Sequence, residues 1–191
     1  MSLFALEHSR TAYRADFALY ACAVVGLAVL LAAEAPRGHG LTTAALIAVG
    51  LIGWSALEYV LHRFVLHGIQ PFKGWHEAHH DRPSALICAP TLFSAMLIVA
   101  LVFVPALCLS DVWRACALTL GVVAGYLAYA ITHHATHHWR ADSAWLRQRK
   151  RWHALHHHSR AAPRCYGVTS ALWDHVFGSA AATTAAEALP R

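Results

Sequence analysis

The sequence predicts an all-α integral membrane protein: four transmembrane helices in two hairpins, with a histidine-rich helical cap on the cytoplasmic side. Composition is the first reason, because 58% of the 191 residues are hydrophobic and only 13% are charged. A soluble domain of this size could not bury so much apolar surface. The second reason is a set of apolar runs of membrane-spanning length. The third is that histidines cluster where these runs meet polar sequence.

The four apolar runs each approach the roughly 20 residues that a helix needs to cross a bilayer. They are Phe17–Ala33, Leu41–Leu61, Leu86–Leu109 and Val112–Ile131. The first run starts late for a signal peptide, so we expect it to be retained. The segments "PRGHG" and "SDVW" are predicted to close the two hairpins. Residues 1–178 are expected to form a single membrane domain, and the small, polar residues 179–191 a disordered tail.

The basic residues predict the orientation of the spans. Arg37 and Arg114 are the only Lys or Arg on one predicted side, and the other thirteen lie on the opposite side. Cytoplasmic segments carry the excess of Lys and Arg, so both termini and the histidine cap are expected in the cytoplasm, at a bacterial inner membrane or the endoplasmic reticulum. The run "LRQRKRW" is expected to lie against anionic lipid, and we expect no nucleic-acid partner.

Thirteen of the sixteen histidines fall in four clusters on that side. The clusters are His62 and His67; His76, His79 and His80; His133, His134, His137 and His138; and His153, His156, His157 and His158. Helical positions i, i+3 and i+4 share a face, so each "HxxHH" motif is predicted to aim three imidazoles at one point. Because His62 and His67 are five apart, one of them is expected where the helix ends or bulges.

Two triplets and two pairs supply ten converging nitrogens, which suggests two metals with about five protein nitrogens each. Imidazole suits iron, zinc, copper and nickel, so spacing does not select the metal. In the third cluster, His133 with His137 and His134 with His138 have the same spacing, which leaves the register open. His134, His138 and His158 are expected to orient ligands rather than bind metal.

Two acidic residues are candidates for supporting the ligands. Glu58 lies one helical turn before His62, where a carboxylate is costly unless it is paired. We expect it to hydrogen-bond a ligand imidazole, with a pair to Arg63 or a neighbouring tyrosine as the alternative. Asp174, in "WDHVFG", is expected to do the same or to cap a turn.

The ordered motifs "EYVLHRFVLH", "HEAHH", "THHATHH", "HALHH" and "YGVTSALWDHVFG", from Glu58 to Gly178, resemble the fatty acid hydroxylase/sterol desaturase superfamily, and most closely its fatty acid 2-hydroxylase branch. One departure is Ala130 after Tyr129, where that branch often has Asp. The resemblance implies a four-helix membrane core, a cytoplasmic histidine cap, two iron ions that zinc could replace, and O2 as co-substrate. It implies these ligands: His62, His67, His76, His79, His80, His133, His137, His153, His156 and His157.

The function that follows is O2-dependent di-iron hydroxylation of a lipid acyl chain, with C2 as a candidate position. No catalytic residue is expected beyond the metal centre. We expect no fused cytochrome b5 domain, and we therefore expect a separate cytochrome b5-like protein or a ferredoxin with its reductase to deliver electrons. A carotenoid or sterol hydroxylase or desaturase of the same superfamily is the alternative. A membrane metal-binding or transport protein is the non-enzyme alternative, although transport predicts polar residues through the spans.

Overall fold

The computed structural model describes residues 7–158 and 164–181, and these residues are mostly helical. Within these ranges the only extended pairing is an isolated antiparallel bridge between Glu7 and Ile87. The predicted all-α class is confirmed. Four helical segments are long and apolar enough to cross a membrane: Arg10–Glu34, Gly40–Leu66, Thr91–Leu109 and Val112–His138.

Eight α-helices and two π-helical segments make up the described chain. The α-helices are α1 (Arg10–Glu34), α2 (Gly40–Val60), α3 (Phe72–Asp81), α4 (Thr91–Ile98), α5 (Val104–Leu109), α6 (Val112–His138), α7 (Ala144–His158) and α8 (Leu172–Val176). The π-helical segments are Leu61–Leu66, which continues α2, and Val99–Phe103, which joins α4 to α5. Pro105 explains the second, because it has no N–H to donate to the preceding turn.

Polar side chains set the starts of several helices. Ser9 accepts a hydrogen bond from the Ala12 backbone N–H at the start of α1. Asp111 accepts from Trp113 and Arg114 at the start of α6. Such caps satisfy backbone donors that have no partner within the helix. The short turns that separate α1 from α2 and α5 from α6 agree with the two predicted hairpins.

Two compact units share the chain. The apolar unit comprises Met1–Trp54 and Leu86–Leu127, and the histidine unit comprises Ser55–Ala85 and Ala128–Arg191. The apolar unit holds most of the four candidate spans. The histidine unit holds the end of α2, the π-helical segment Leu61–Leu66, α3, the end of α6, α7 and α8.

Glycines bring α2 and α6 into backbone contact within the apolar unit. A Cβ atom on Gly121 would lie 2.1 Å from the Ile47 carbonyl oxygen, and one on Gly50 would lie 2.3 Å from the Leu118 carbonyl oxygen. Small residues commonly permit such close approach between membrane helices. Gly53, by contrast, has open space at its Cβ position, so its size is not required for this contact.

The outer helices of the apolar unit expose large hydrophobic side chains. Met96 is 65% exposed and Leu101 is 70% exposed. Along Thr91–Leu109, Ile98 is the only buried residue. A run of exposed apolar side chains on this scale is unfavourable in water and is expected where lipid is the solvent.

The cysteines and the C-terminal segment add two details of the fold. All five cysteines are free, so Cys108 and Cys116 form no disulfide. The ordered chain does not end at Gly178, because Ser179 is buried and bonds to Tyr59 and Asp174. Of the predicted tail, residues 179–181 belong to the described part of the chain, and residues 182–191 lie outside it.

Candidate metal centre

The π-helical segment Leu61–Leu66 brings His62 and His67 together. Its hydrogen bonds span five residues instead of four, so each turn holds more residues than an α-helical turn. Side chains five apart then come close to one face, and the two imidazole centroids are 5.4 Å apart. The predicted bulge at this pair is confirmed.

The histidines of each "HxxHH" triplet are divided between two separate groups, so the prediction that they aim at one point is wrong. In α3, His76 and His80 lie together while His79 lies with His133 and His137. In α7, His156 joins the group of His76, and His153 joins that of His79. At 3.6 residues per turn, positions i+3 and i+4 diverge by about 100° around the helix axis. This angle lets one short helix contribute imidazoles to two sites.

Two histidine groups result, both within the histidine unit. The first histidine group is His62, His67, His76, His80 and His156; the second histidine group is His79, His133, His137 and His153. In each group the ligand atoms all lie within 4.8 Å of one another. Nine of the ten predicted ligands are thus brought together in two sets.

His157 is the tenth predicted ligand and lies beside the second histidine group. Its Nε2 is 3.0 Å from Nε2 of His153. Its ring also stacks on that of His80, with centroids 4.2 Å apart. His157 therefore lies between the two groups, with its nearest ring nitrogen contact in the second.

The spacing of the nitrogens fits a metal. In the first histidine group, Nε2 of His76 is 3.0 Å from Nε2 of both His62 and His80. In the second, Nε2 of His133 is 3.1 Å from Nε2 of His79. Two ligands at right angles on a metal with bonds of about 2.1 Å lie about 3.0 Å apart. Lone pairs that face one another at this distance repel unless a cation lies between them.

Burial keeps these imidazoles neutral. Burial and neighbouring histidines lower the pKa of His79 to about 3 and of His157 to about 2. Burial, together with nearby His80, lowers the pKa of His67 to about 4. Burial likewise lowers the pKa of His156 to about 2. Imidazoles that stay unprotonated at pH 7 keep the lone pairs that a metal requires.

Two backbone carbonyls select the tautomers of two histidines in the first group. Nδ1 of His62 bonds to the Tyr166 carbonyl oxygen, and Nδ1 of His156 lies 2.9 Å from the Arg164 carbonyl oxygen. A carbonyl only accepts, so each Nδ1 must carry the proton. Each Nε2 then has a free lone pair, and it is Nε2 that faces the other histidines of the group.

Glu58 does not hydrogen-bond an imidazole, and the prediction of that contact is wrong. Its Oε1 accepts from the backbone N–H groups of Val168 and Thr169, at 2.7 and 2.9 Å, and its Oε2 accepts from the Thr169 hydroxyl at 2.6 Å. The alternative pair with Arg63 is not formed either, since Arg63 donates to the hydroxyl of Tyr59. Glu58 therefore accepts hydrogen bonds from a loop that lies far away in the sequence, and the sequence gave no reason to expect this contact.

Asp174 likewise binds backbone groups, in agreement with the turn-capping alternative. Its carboxylate accepts from the N–H groups of Tyr166 and Gly167, at 2.9 and 2.8 Å, and from the hydroxyl of Ser179 at 2.7 Å. The side chain has no exposed surface. Together, the two carboxylates hold four consecutive backbone N–H groups, from Tyr166 to Thr169.

The remaining candidates lie away from the two groups. His134 and His138 stack on each other, with ring centroids 4.5 Å apart. It is the His133/His137 register that lies in the second histidine group. His158 is exposed, and its Nδ1 bonds to the Ala154 carbonyl oxygen one turn earlier in its own helix. The structure therefore gives no support for an orienting role of His158.

Residues that were not predicted to belong to the site complete the surroundings. One of them, Arg149, belongs to the run "LRQRKRW" that was expected to lie against lipid, but its side chain is buried in the protein. Arg149 is only 6% exposed, and although burial lowers the pKa of its guanidinium, the nearby Asp174 and Glu58 act in the opposite direction. This cation offsets part of the negative charge buried with the loop. Tyr166 and Arg164 act through their carbonyl oxygens, for which side-chain chemistry provides no sequence signal.

The chain is similar in sequence to known proteins of one family. Residues 47–179 match the fatty acid hydroxylase family. A dihydroceramide fatty acyl 2-hydroxylase of Arabidopsis thaliana is 37% identical over 150 residues, which cover 70% of this chain and 60% of the relative. A ceramide very long chain fatty acid hydroxylase of Schizosaccharomyces pombe is 32% identical over 144 residues, or 69% of this chain and 41% of the relative.

One solved structure shares the fold. The hydroxylase domain visible in a structure of full-length scs7p matches with a TM-score of 0.76 at 24% identity, covering 90% of this chain and 67% of that one. This chain spans about 60% of the length of the Arabidopsis relative. The family match extends over most of the sequence and includes every histidine of both groups. The chain belongs to the fatty acid hydroxylase family.

Proposed function

We propose that the chain is an O2-dependent di-iron hydroxylase that acts on the acyl chain of a membrane lipid, at C2. The observation that carries this proposal is the pair of histidine groups within one compact unit. The Arabidopsis relative, described as a dihydroceramide fatty acyl 2-hydroxylase, favours this substrate class and position. The Schizosaccharomyces pombe relative, described as a ceramide very long chain fatty acid hydroxylase, favours the same substrate class. Acid and base side chains cannot break an unactivated C–H bond, so hydroxylation would require metal ions bound by these histidines.

Each histidine group would hold one metal ion. His62, His67, His76, His80 and His156 would supply five nitrogens to the first ion, and His79, His133, His137 and His153 would supply four to the second. His157 is the fifth candidate for the second ion, because of its 3.0 Å approach to His153. Bound iron supplies the O2-dependent redox chemistry that oxidises a C–H bond. Zinc also suits imidazole but has no redox chemistry.

The protein's own residues provide the orientation and the electrostatics. The carbonyl groups of Tyr166 and Arg164 would hold the His62 and His156 rings with Nε2 directed at the first ion. Neutral imidazoles leave the net positive charge on the metals. The apolar helices would keep the acyl tail of the substrate in the bilayer, so that its carbon chain need not enter water.

Orientation and electron supply are part of the same proposal. The distribution of Lys and Arg favours a cytoplasmic centre and cytoplasmic termini. A cytoplasmic centre would be accessible to a soluble or membrane-bound electron donor, either a cytochrome b5-like protein or a ferredoxin with its reductase. Because two electrons are needed to reduce one oxygen atom of O2 to water, the reaction requires such a donor.

Isotope labelling tests the proposal. The purified protein, loaded with Fe(II) and supplied with a reduced donor, acyl lipid and 18O2, should yield a 2-hydroxy acyl lipid that carries one 18O atom. A His79→Ala variant, which lacks one nitrogen of the second histidine group, is the matched negative control. Iron-loaded wild-type protein that makes no hydroxylated lipid from fatty acyl or ceramide substrates would refute the proposal.

A further inference from the structure

One peptide group connects a buried carboxylate to the first histidine group. The Gly167 N–H donates to Oδ2 of Asp174 at 2.8 Å. The carbonyl of the same peptide group is that of Tyr166, and it bonds to Nδ1 of His62. The order is therefore carboxylate, peptide, imidazole, with Nε2 of His62 at the far end, 3.0 Å from Nε2 of His76.

We infer that Asp174 is a positioning residue for the first metal, acting on His62 through the Tyr166–Gly167 peptide. This inference rests on the proposed function, since it concerns a ligand of the proposed centre. A negative charge at the N–H end of an amide makes its carbonyl a stronger acceptor. A stronger hydrogen bond to Nδ1–H makes Nε2 more basic, as a directly bonded carboxylate does for metal-binding histidines.

Glycine at position 167 makes the contact sterically feasible. A Cβ atom there would lie 2.9 Å from Oδ2 of Asp174 and 1.9 Å from the Ser170 carbonyl oxygen. A larger residue would push the carboxylate or the loop away. The loop is thus shaped to let a carboxylate approach this peptide group.

The counterpart at His156 ends differently. Its Nδ1 bonds to the Arg164 carbonyl, and the N–H of that peptide group, from Cys165, donates to the neutral carbonyl of Ser179 at 3.0 Å. In the second histidine group, Nδ1 of His79 and Nδ1 of His153 are buried without a hydrogen-bond partner among the described residues. Among the histidine Nδ1 hydrogen bonds of the described residues, only that of His62 is to a peptide group whose N–H binds a carboxylate.

Glu58 provides a matched control within the same loop. Its carboxylate is also buried and also accepts two backbone N–H groups, from Val168 and Thr169. The carbonyls of those two peptide groups belong to Gly167 and Val168, and none of the hydrogen bonds described for the histidines reaches them. Anchoring of the loop is therefore common to Glu58 and Asp174, whereas the connection to His62 belongs to Asp174.

Cobalt binding separates these roles. Metal-free protein would be titrated with Co(II) in a His79→Ala background, where the bound ion reports on the first histidine group. Adding Asp174→Asn should weaken that ion's binding by about tenfold, the lower end of the range for outer partners of metal ligands, and should shift its d–d absorption bands. Adding Glu58→Gln should leave the bands unchanged. In a His76→Ala background, which reports on the second group, Asp174→Asn should change neither quantity.

Three results would overturn the inference. The first is that Asp174→Asn changes neither the Co(II) affinity nor the absorption bands. The second is that Asp174→Asn and Glu58→Gln have equal effects. The third is that Asp174→Asn loses cobalt from both histidine groups, which would show a general role in folding. Wild-type protein that fails to bind two Co(II) ions would instead refute the proposed centre itself, and the inference with it. Ser179→Ala, which removes a hydrogen bond to the same carboxylate but leaves the peptide contact intact, should retain both ions with unshifted bands.

Discussion

Replacing a single histidine should remove one metal and leave the other in place. His79→Ala deletes one of the four nitrogens in the second histidine group and none of the first. Binding of about 10–16 kcal/mol for a structural zinc site, shared among four ligands, gives about 2.5–4 kcal/mol for each ligand. The corresponding loss of affinity at the second site is about 70- to 900-fold, since 1.36 kcal/mol is tenfold.

The first site should give a smaller effect because it has five nitrogens. Dividing the same energy among them gives about 2–3 kcal/mol per ligand, or about 30- to 200-fold for His76→Ala. Competition with a chelator of known affinity, followed by elemental analysis, measures both constants. Each variant should retain one tightly bound ion. His158→Ala is the matched control from the same region, and its exposed side chain predicts wild-type binding. Loss of both metals in either single variant, or an equal loss in His158→Ala, would refute two separate groups.

Three other predictions concern packing, protonation and orientation. Gly121→Ala should lower the free energy of unfolding of the detergent-solubilised protein by about 1–3 kcal/mol, because the added Cβ would clash with the Ile47 carbonyl oxygen. Gly53→Ala should leave the stability unchanged, since there is open space at that position. Equal melting temperatures of the two variants would count against the close helix contact. Metal-free protein should lose stability as the pH falls below 6.5. In the folded protein His67 and His79 have pKa values of about 4 and 3, so the unfolded chain binds protons at these residues while the folded protein does not. Stability that rises on acidification would contradict this prediction. A C-terminal reporter that is active only outside the cytoplasm should be silent, and strong activity would reverse the proposed topology.

Membrane-spanning helices and metal-binding spacing could be predicted from the sequence because both are local. Hydrophobic length is a property of one segment, so all four spans were found, although individual ends differ by up to seven residues, as between Phe17 and Arg10. The helix that carries the third cluster runs on to His138 instead of ending near Ile131, because its histidines continue the helix of the span. The five-residue spacing of His62 and His67 was also informative, since a regular α-helix cannot place such a pair on one face.

Contacts between distant parts of the chain could not be predicted. Glu58 and Thr169 are separated by 111 positions, and a carboxylate that binds backbone N–H groups has no characteristic side-chain partner to search for. The splitting of the triplets also needs tertiary information. An "HxxHH" motif spans an arc of about 100°, and only the placement of the neighbouring helices decides whether one site or two fall within that arc.

Locating the metals tests the central claim most directly. Anomalous diffraction at the iron absorption edge, from crystals of the iron-loaded protein, should show two peaks of similar height. One peak should lie among the Nε2 atoms of His62, His67, His76, His80 and His156, and the other among those of His79, His133, His137 and His153. A single peak, or a second peak away from either histidine group, would contradict the two-metal centre.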